Sequence, residues 1–142
     1  RRLGRFEIEP DLTELGPDAL TLTKKEFGVA LASVRGGGAA IKARLLDQSV
    51  IAGIGNLLGD EMLFRAGIDP RTPTGHLTPT QRDELFVALK ATLKQLQKRG
   101  GSHMGNHMNA RIPGGICPLD GGPMRISVVG GRTTYWCAQH QH

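Results

Sequence analysis

The 142-residue sequence predicts a mainly α fold, a small helical bundle followed by a β-hairpin. Three observations carry that expectation. Apolar residues recur at helical spacing through the first two thirds of the chain, two segments open on Thr-led capping boxes, and near the C-terminus two short stretches flank Gly130-Gly131 as a hairpin turn would. Hydrophobic content of 39% with only 4% aromatic implies a Leu, Ile and Val core of limited depth, suited to one modest domain with a small appendage.

In chain order, RFEIE at 5–9 alternates polar and apolar residues before Pro10, so residues 1–12 are expected to be an edge strand left over from a β structure. Thr23 and Glu26 form a capping box, with Leu22 and Phe27 spaced as a hydrophobic staple, which starts a helix over about 24–34 that the glycines at 36–38 stop. A short helix over 40–46 points Ile41, Leu45 and Leu46 inward and leaves Lys42 and Arg44 in water. After a Gly-Ile-Gly-Asn turn, a helix over 57–66 offers Leu58, Met62 and Phe64 or Ala66 to the core, with Asp60 and Glu61 near its positive end. Gly67 fits its C-terminal cap and Pro70 prevents continuation. The longest helix starts at Thr78 as cap, with Pro79 first and Gln81 closing a second capping box, and buries Leu85, Leu89, Leu93 and Leu96. The helical domain is thus expected over 13–100, a Gly-rich linker over 101–115 and a hairpin unit over 116–142, its strands at 124–129 and 132–136.

Charge is distributed unevenly. Of the net +5, the stretch 90–142 holds Lys90, Lys94, Lys98, Arg99, Arg111, Arg125 and Arg132 against Asp120 alone, as expected of a part that meets a polyanion, although a solvated basic face explains the asymmetry as well. No apolar stretch approaches the roughly 20 residues that cross a bilayer, and the start carries no signal-peptide pattern, so a soluble intracellular protein is expected.

Two constellations carry chemistry. In the turn, Gly53 and Gly55 permit a close backbone approach, Asn56 offers a side-chain amide while capping the next helix, and the helix end presents N–H groups and positive potential, which together suit a phosphate; the plain alternative is a helix-to-helix turn. At the hairpin, Cys117, Asp120, Cys137 and His140 have the layout C-x2-D-x16-C-x2-H, and zinc accepts sulfur, imidazole nitrogen and carboxylate oxygen, so the four suit a tetrahedral structural site. His142, His103 or His107 could replace Asp120, and a metal-free hairpin stays open. Trp136 beside Cys137 is expected to pack the finger rather than stack on a base.

The run IKARLLDQSVIAGIGNLLGDEMLFRAGIDPRTP at 41–73 resembles the helix-two-turn-helix motif of the formamidopyrimidine-DNA glycosylase and endonuclease VIII family. RRLGR at 1–5 resembles the end of that family's N-terminal domain, and CPLDGGPMRISVVGGRTTYWCAQH at 117–140 its C-terminal zinc finger, in which Asp120 and His140 stand where the family has cysteines. The resemblance implies a helix-two-turn-helix bundle followed by a small zinc-finger β-hairpin. It further implies the DNA-binding part of a base-excision repair glycosylase and abasic-site lyase acting on oxidised bases. The family's N-terminal proline and glutamate have no counterpart here, so no catalytic residue is assigned and the chain alone is expected to be inactive. By the same resemblance Asn56 and Lys42 contact phosphate and DNA backbone, Arg132 at the hairpin tip reaches backbone at the lesion, and Arg2 with Leu3 stands where the family wedges open the stack. The implied partner is double-stranded DNA, damaged or abasic, bound by a monomer in the bacterial cytoplasm at the nucleoid. A ribosomal-type or RNA-binding module with the same GIGN turn is the alternative, and a zinc-ribbon adaptor for protein partners a third.

Overall fold

Both capping boxes close in the computed structural model, which describes residues 15–32, 38–98 and 111–142. The Glu26 amide donates to Thr23 Oγ1 at 3.1 Å and the Thr23 amide to Glu26 Oε1 at 2.8 Å, starting α1, Lys24–Ala32. The second box repeats this: Gln81 N to Thr78 Oγ1 at 3.1 Å and Thr78 N to Gln81 Oε1 at 2.9 Å. It opens the longest helix, α4, Pro79–Lys98. Between them lie α2, Ile41–Leu46, α3, Asn56–Ala66, and a 3-10 turn, Thr74–His76. Gly67 ends α3 in the left-handed conformation at φ 71°, donating to the carbonyls of Leu63 and Phe64 as a C-terminal cap should. The expected strand at 5–9, the candidate contacts Arg2 and Leu3, and residues 33–34 of the first expected helix lie outside the described residues. Thr78→Ala, which removes one side of a closed box at an exposed cap, should lower stability by about 1 kcal/mol in urea unfolding with the slope unchanged.

The helical core gathers one side of every helix. Leu22, Phe27 and Leu31 meet Ile41 and Leu45, then Ile54, Leu58, Met62 and Leu63, then Leu85 and Leu89, while Leu93 and Leu96 pack half-buried at its margin. α2 packs on α3 at Gly59, where a Cβ would stand 2.7 Å from Leu46 Cδ1 and would require that side chain to turn away. The sequence reading of α2 is half right. Ile41 and Leu45 are buried as expected and Leu46 partly so, but Lys42 is not in water; it is completely buried, and Arg44 is half-buried with Nη2 donating to the Ala30 carbonyl at 3.0 Å. Among the described residues no helix is long and apolar enough to cross a membrane.

The finger follows as a two-stranded antiparallel sheet, β1, Arg125–Val129, and β2, Arg132–Trp136, in the register Val129↔Arg132 to Arg125↔Trp136. Gly130 and Gly131 lie at φ 60° and 77°, the pair of positive values a two-residue turn of this twist requires. Gly130 also seats the tip on α2, since a Cβ there would fall 2.8 Å from Ala43 Cβ. At the far end Phe64 of α3 packs with Cys117, Met124 and Cys137 in a second small cluster. Trp136 is buried, its Nε1 donating to Ser127 Oγ at 3.0 Å and its ring lying 4.3 Å beneath the Arg71 guanidinium, so it packs the finger as the sequence implies. The final residues stitch the finger to the C-terminal end of α3: Gln141 Nε2 donates to the Ile68 carbonyl at 3.0 Å and His142 N to that of Gly67 at 3.0 Å.

Candidate nucleic-acid interface and metal centre

The turn and the hairpin tip, 76 residues apart at Asn56 and Arg132, line one concavity of about 370 Å³. Gln48, Gly53, Ile54, Gly55, Asn56 and Arg132 form its walls. Gly53 adopts φ 100°, closed to ordinary side chains, and Gly55 is the N-cap of α3. The first bond of that helix runs from Gly59 N to Gly55 O at 2.9 Å, so the amides of Asn56, Leu57 and Leu58 precede the intrahelical ladder and mark its positive end. Asn56 does not cap the helix, contrary to expectation: it is the first helical residue, no side chain caps the end, and its Nδ2 instead donates 3.1 Å across to the Thr133 carbonyl of β2. A cap residue must sit outside the helix, and Gly55 holds that position.

Gln48 was not singled out in the sequence, yet it braces the turn. Its Oε1 accepts from Gly53 N at 2.9 Å while Nε2 donates to the carbonyls of Leu46 and Ile54, both at 3.1 Å. Only its place shortly before a glycine-rich turn hints at this.

Behind the concavity lies a buried charge network. Lys42 Nζ meets Asp60 Oδ1 at 2.8 Å, both side chains fully buried, and also donates to Thr134 Oγ1 at 2.6 Å and the Thr133 carbonyl at 3.2 Å. Asp60 Oδ2 accepts from Arg111 Nη2 at 2.8 Å and from Tyr135 N at 3.2 Å, and the Arg111 guanidinium lies 4.9 Å over the Tyr135 ring. Asp60, expected near the positive end of α3, lies there and also joins α2, α3, β2 and the segment after the Gly-rich stretch. Glu61 is likewise buried, paired with Arg65 at 2.7 Å. Burial pulls the Lys42 ammonium below the ordinary lysine pKa, opposed by Asp60, and pushes the Glu61 carboxyl above its ordinary value, opposed by Arg65. Lys42, expected at the DNA backbone, has no exposed surface here.

The four candidate metal ligands do come together. One donor atom from each of Cys117, Asp120, Cys137 and His140 lies within 4.8 Å of the others. His140 Nδ1 stands 3.5 Å from Cys117 Sγ and 3.3 Å from Asp120 Oδ2, and Cys137 Sγ is 3.1 Å from the same carboxylate oxygen. Tetrahedral zinc with ordinary bond lengths has ligand-to-ligand edges of roughly 3.3–3.8 Å, close to these three distances, so the donor set suits such an ion once its wider pairs draw in. His140 Nε2 lies 3.2 Å from the Phe64 carbonyl, which orients the ring with Nδ1 towards the other donors. The thiols are buried while Asp120 is exposed, giving the site a soft inner side and a hard outer one. Burial and the neighbouring Asp120 carboxylate raise the Cys137 thiol to about 11, and the hydrogen bond from that thiol, then one from the Gly122 amide, hold Asp120 below the usual carboxylate range.

The helical domain thus presents a helix N-terminus and an arginine-tipped hairpin to one concavity, with a cluster that could hold a metal at the base of that hairpin. Residues 15–107 match the formamidopyrimidine-DNA glycosylase H2TH domain, and the chain belongs to the formamidopyrimidine-DNA glycosylase (Fpg/MutM) family. The formamidopyrimidine-DNA glycosylase of Bdellovibrio bacteriovorus is 32% identical over 163 residues, which take in 99% of this chain and 59% of that protein. For the Geobacillus kaustophilus glycosylase the figures are 34% over 146 residues, 93% and 53%. The chain thus spans little more than half the length of these relatives. The crystal structure of Thermus thermophilus MutM (Fpg) superposes with a TM-score of 0.81 at 32% identity, covering 99% of this chain and 58% of that one. Lactococcus lactis Fpg in complex with a DNA containing N7-benzyl-Fapy-dG gives 0.77 at 27% identity, covering 92% and 52%.

Proposed function

We propose that this chain grips duplex DNA, as the DNA-binding portion of a base-excision repair glycosylase and abasic-site lyase for oxidised bases, with the catalytic Pro-Glu part lying outside these residues. The observation that carries this reading is the convergence of the turn 53–56 and Arg132 on one concavity. A phosphate seated there meets backbone amides at the start of α3, the close approach allowed by Gly53 and Gly55, and a guanidinium whose planar fork matches phosphate oxygens. Asn56 contributes by tying the turn to the tip through Thr133. Lactococcus lactis Fpg has been captured with an abasic-site DNA, and the reading brings the same class of ligand to this chain, bound as a monomer in the bacterial cytoplasm. Zinc held by Cys117, Asp120, Cys137 and His140 supplies no chemistry in this reading; it fixes the finger that carries Arg132.

Binding of this kind is electrostatic and blind to sequence. Affinity for a fluorescent duplex should fall steeply between low and physiological salt, and Arg132→Ala or Asn56→Ala should each weaken it by roughly 1–3 kcal/mol without unfolding the domain. Competition with structured RNA at fixed salt tests the RNA-module alternative. Salt-independent affinity, or RNA outcompeting duplex DNA, would overturn the reading.

A further inference from the structure

We propose that Lys42 acts on DNA at one remove, as a positioning residue that fixes the backbone of Arg132 through the Thr134 hydroxyl. The inference rests on the reading of Arg132 as a phosphate contact and adds how that contact is held in place.

The bonds run in one direction. Asp60 Oδ1 anchors Lys42 Nζ at 2.8 Å, Lys42 donates to Thr134 Oγ1 at 2.6 Å, and Thr134 Oγ1 donates in turn to the Arg132 carbonyl at 3.0 Å. An ammonium only donates and a hydroxyl has one proton, so the Thr134 hydroxyl is obliged to pass its proton towards Arg132. Lys42 and Thr134 are both wholly buried, which leaves no water to compete for these bonds. The third ammonium proton goes to the Thr133 carbonyl at 3.2 Å, where Asn56 Nδ2 also donates at 3.1 Å. With two hydrogen bonds to β2, an ion pair to Asp60 and no exposed surface, Lys42 is closed to a phosphate.

The tip is fixed from its other side as well, since Gly130 lies so close to Ala43 that a Cβ would stand at 2.8 Å. A guanidinium that binds phosphate through a planar fork loses affinity when its backbone wanders, and a fixed carbonyl at Arg132 removes that freedom before DNA arrives.

The test is a double-mutant cycle on duplex-DNA affinity, with Lys42→Met, Thr134→Val and Arg132→Ala made singly and Arg132→Ala combined with each of the other two. Melting curves and metal content are recorded for every protein. Lys42→Met leaves Asp60 paired with Arg111, and Thr134→Val is isosteric and uncharged, so it decides the matter if the lysine variant does not fold. Each of the two should lower affinity roughly three- to tenfold with metal content unchanged, and each double variant should bind within about twofold of Arg132→Ala alone, because both losses act through one contact. Losses that multiply would give Lys42 a contact of its own and overturn the relay. So would full affinity in both Lys42→Met and Thr134→Val while Arg132→Ala is weakened. Undiminished binding by Arg132→Ala would instead remove the interface reading itself, and the relay with it.

Discussion

Asp60→Ala should be among the most damaging substitutions at the described residues, lowering stability by about 3–5 kcal/mol. The aspartate is the counter-ion of Lys42, whose side chain has no exposed surface, and its Oδ2 accepts two bonds from Arg111, whose side chain is 14% exposed. Removing it leaves a buried ammonium with only neutral oxygens around it and frees the Tyr135 amide on β2. The magnitude follows from the unpaired charge left behind, since a buried ion pair taken as a whole contributes little against an apolar pair of similar volume. The double variant Asp60→Leu with Lys42→Met should therefore recover most of the loss, with Arg111 turning into solvent. Urea unfolding followed by far-ultraviolet circular dichroism measures both. A single variant within about 1 kcal/mol of the parent, or a double variant no better than the single, would show that the network does not join the finger to the helices as described.

The same network marks what the sequence could and could not disclose. Capping boxes at Thr23 and Thr78, the Gly67 cap and the Gly130-Gly131 turn are local arrangements, settled by residues a few positions apart, and each forms as the sequence implies. The clustering of the four candidate ligands is equally legible, because Cys117 and Asp120 lie on one short turn and Cys137 and His140 on another, and the hairpin between them brings the two turns together. Lys42 departs from expectation for the opposite reason. A lysine within IKARLL reads as the wet face of a short amphipathic helix, and nothing near it in sequence announces that Asp60, 18 residues on, and Thr134, 92 residues on, will close over it. Asn56 failed similarly: its amide finds a carbonyl 77 residues away instead of the cap beside it. Arg111 belongs to a stretch whose glycines and polar residues read as a linker, and its pairing with Asp60 depends on how the finger docks. Gln48 combines both cases, its bonds local but its identity as a brace hidden until the turn at Gly53 is seen in three dimensions.

Stripping the metal from the purified chain should unfold the finger while leaving the helices intact. Two strands of five residues each and a cluster of Phe64, Cys117, Met124 and Cys137 bury little, and the bonds that dock the finger on the helices leave its metal-ligand end to that cluster, so ligand bonds are expected to hold that end. Trp136 is the only tryptophan and sits buried next to Cys137, so its emission should shift red on chelation, with the helical circular dichroism nearly unchanged. DNA affinity should fall by about 1–3 kcal/mol, roughly five- to 150-fold, because β2 carries Arg132 at one end and runs into Cys137 at the other. Protons compete for the same ligands. The Cys137 thiol, raised to about 11 by burial and by Asp120, must release its proton as zinc binds, whereas Asp120, held below the usual carboxylate range, is already ionised at neutral pH. Apparent zinc affinity should therefore climb with pH and decline on acidification, and Cys137→Ala should reproduce the chelated state at any pH. Elemental analysis should give one zinc per chain. Substoichiometric metal in protein whose Trp136 emission and DNA affinity ignore chelator would mean that packing alone holds the finger and that the four residues are not its ligands.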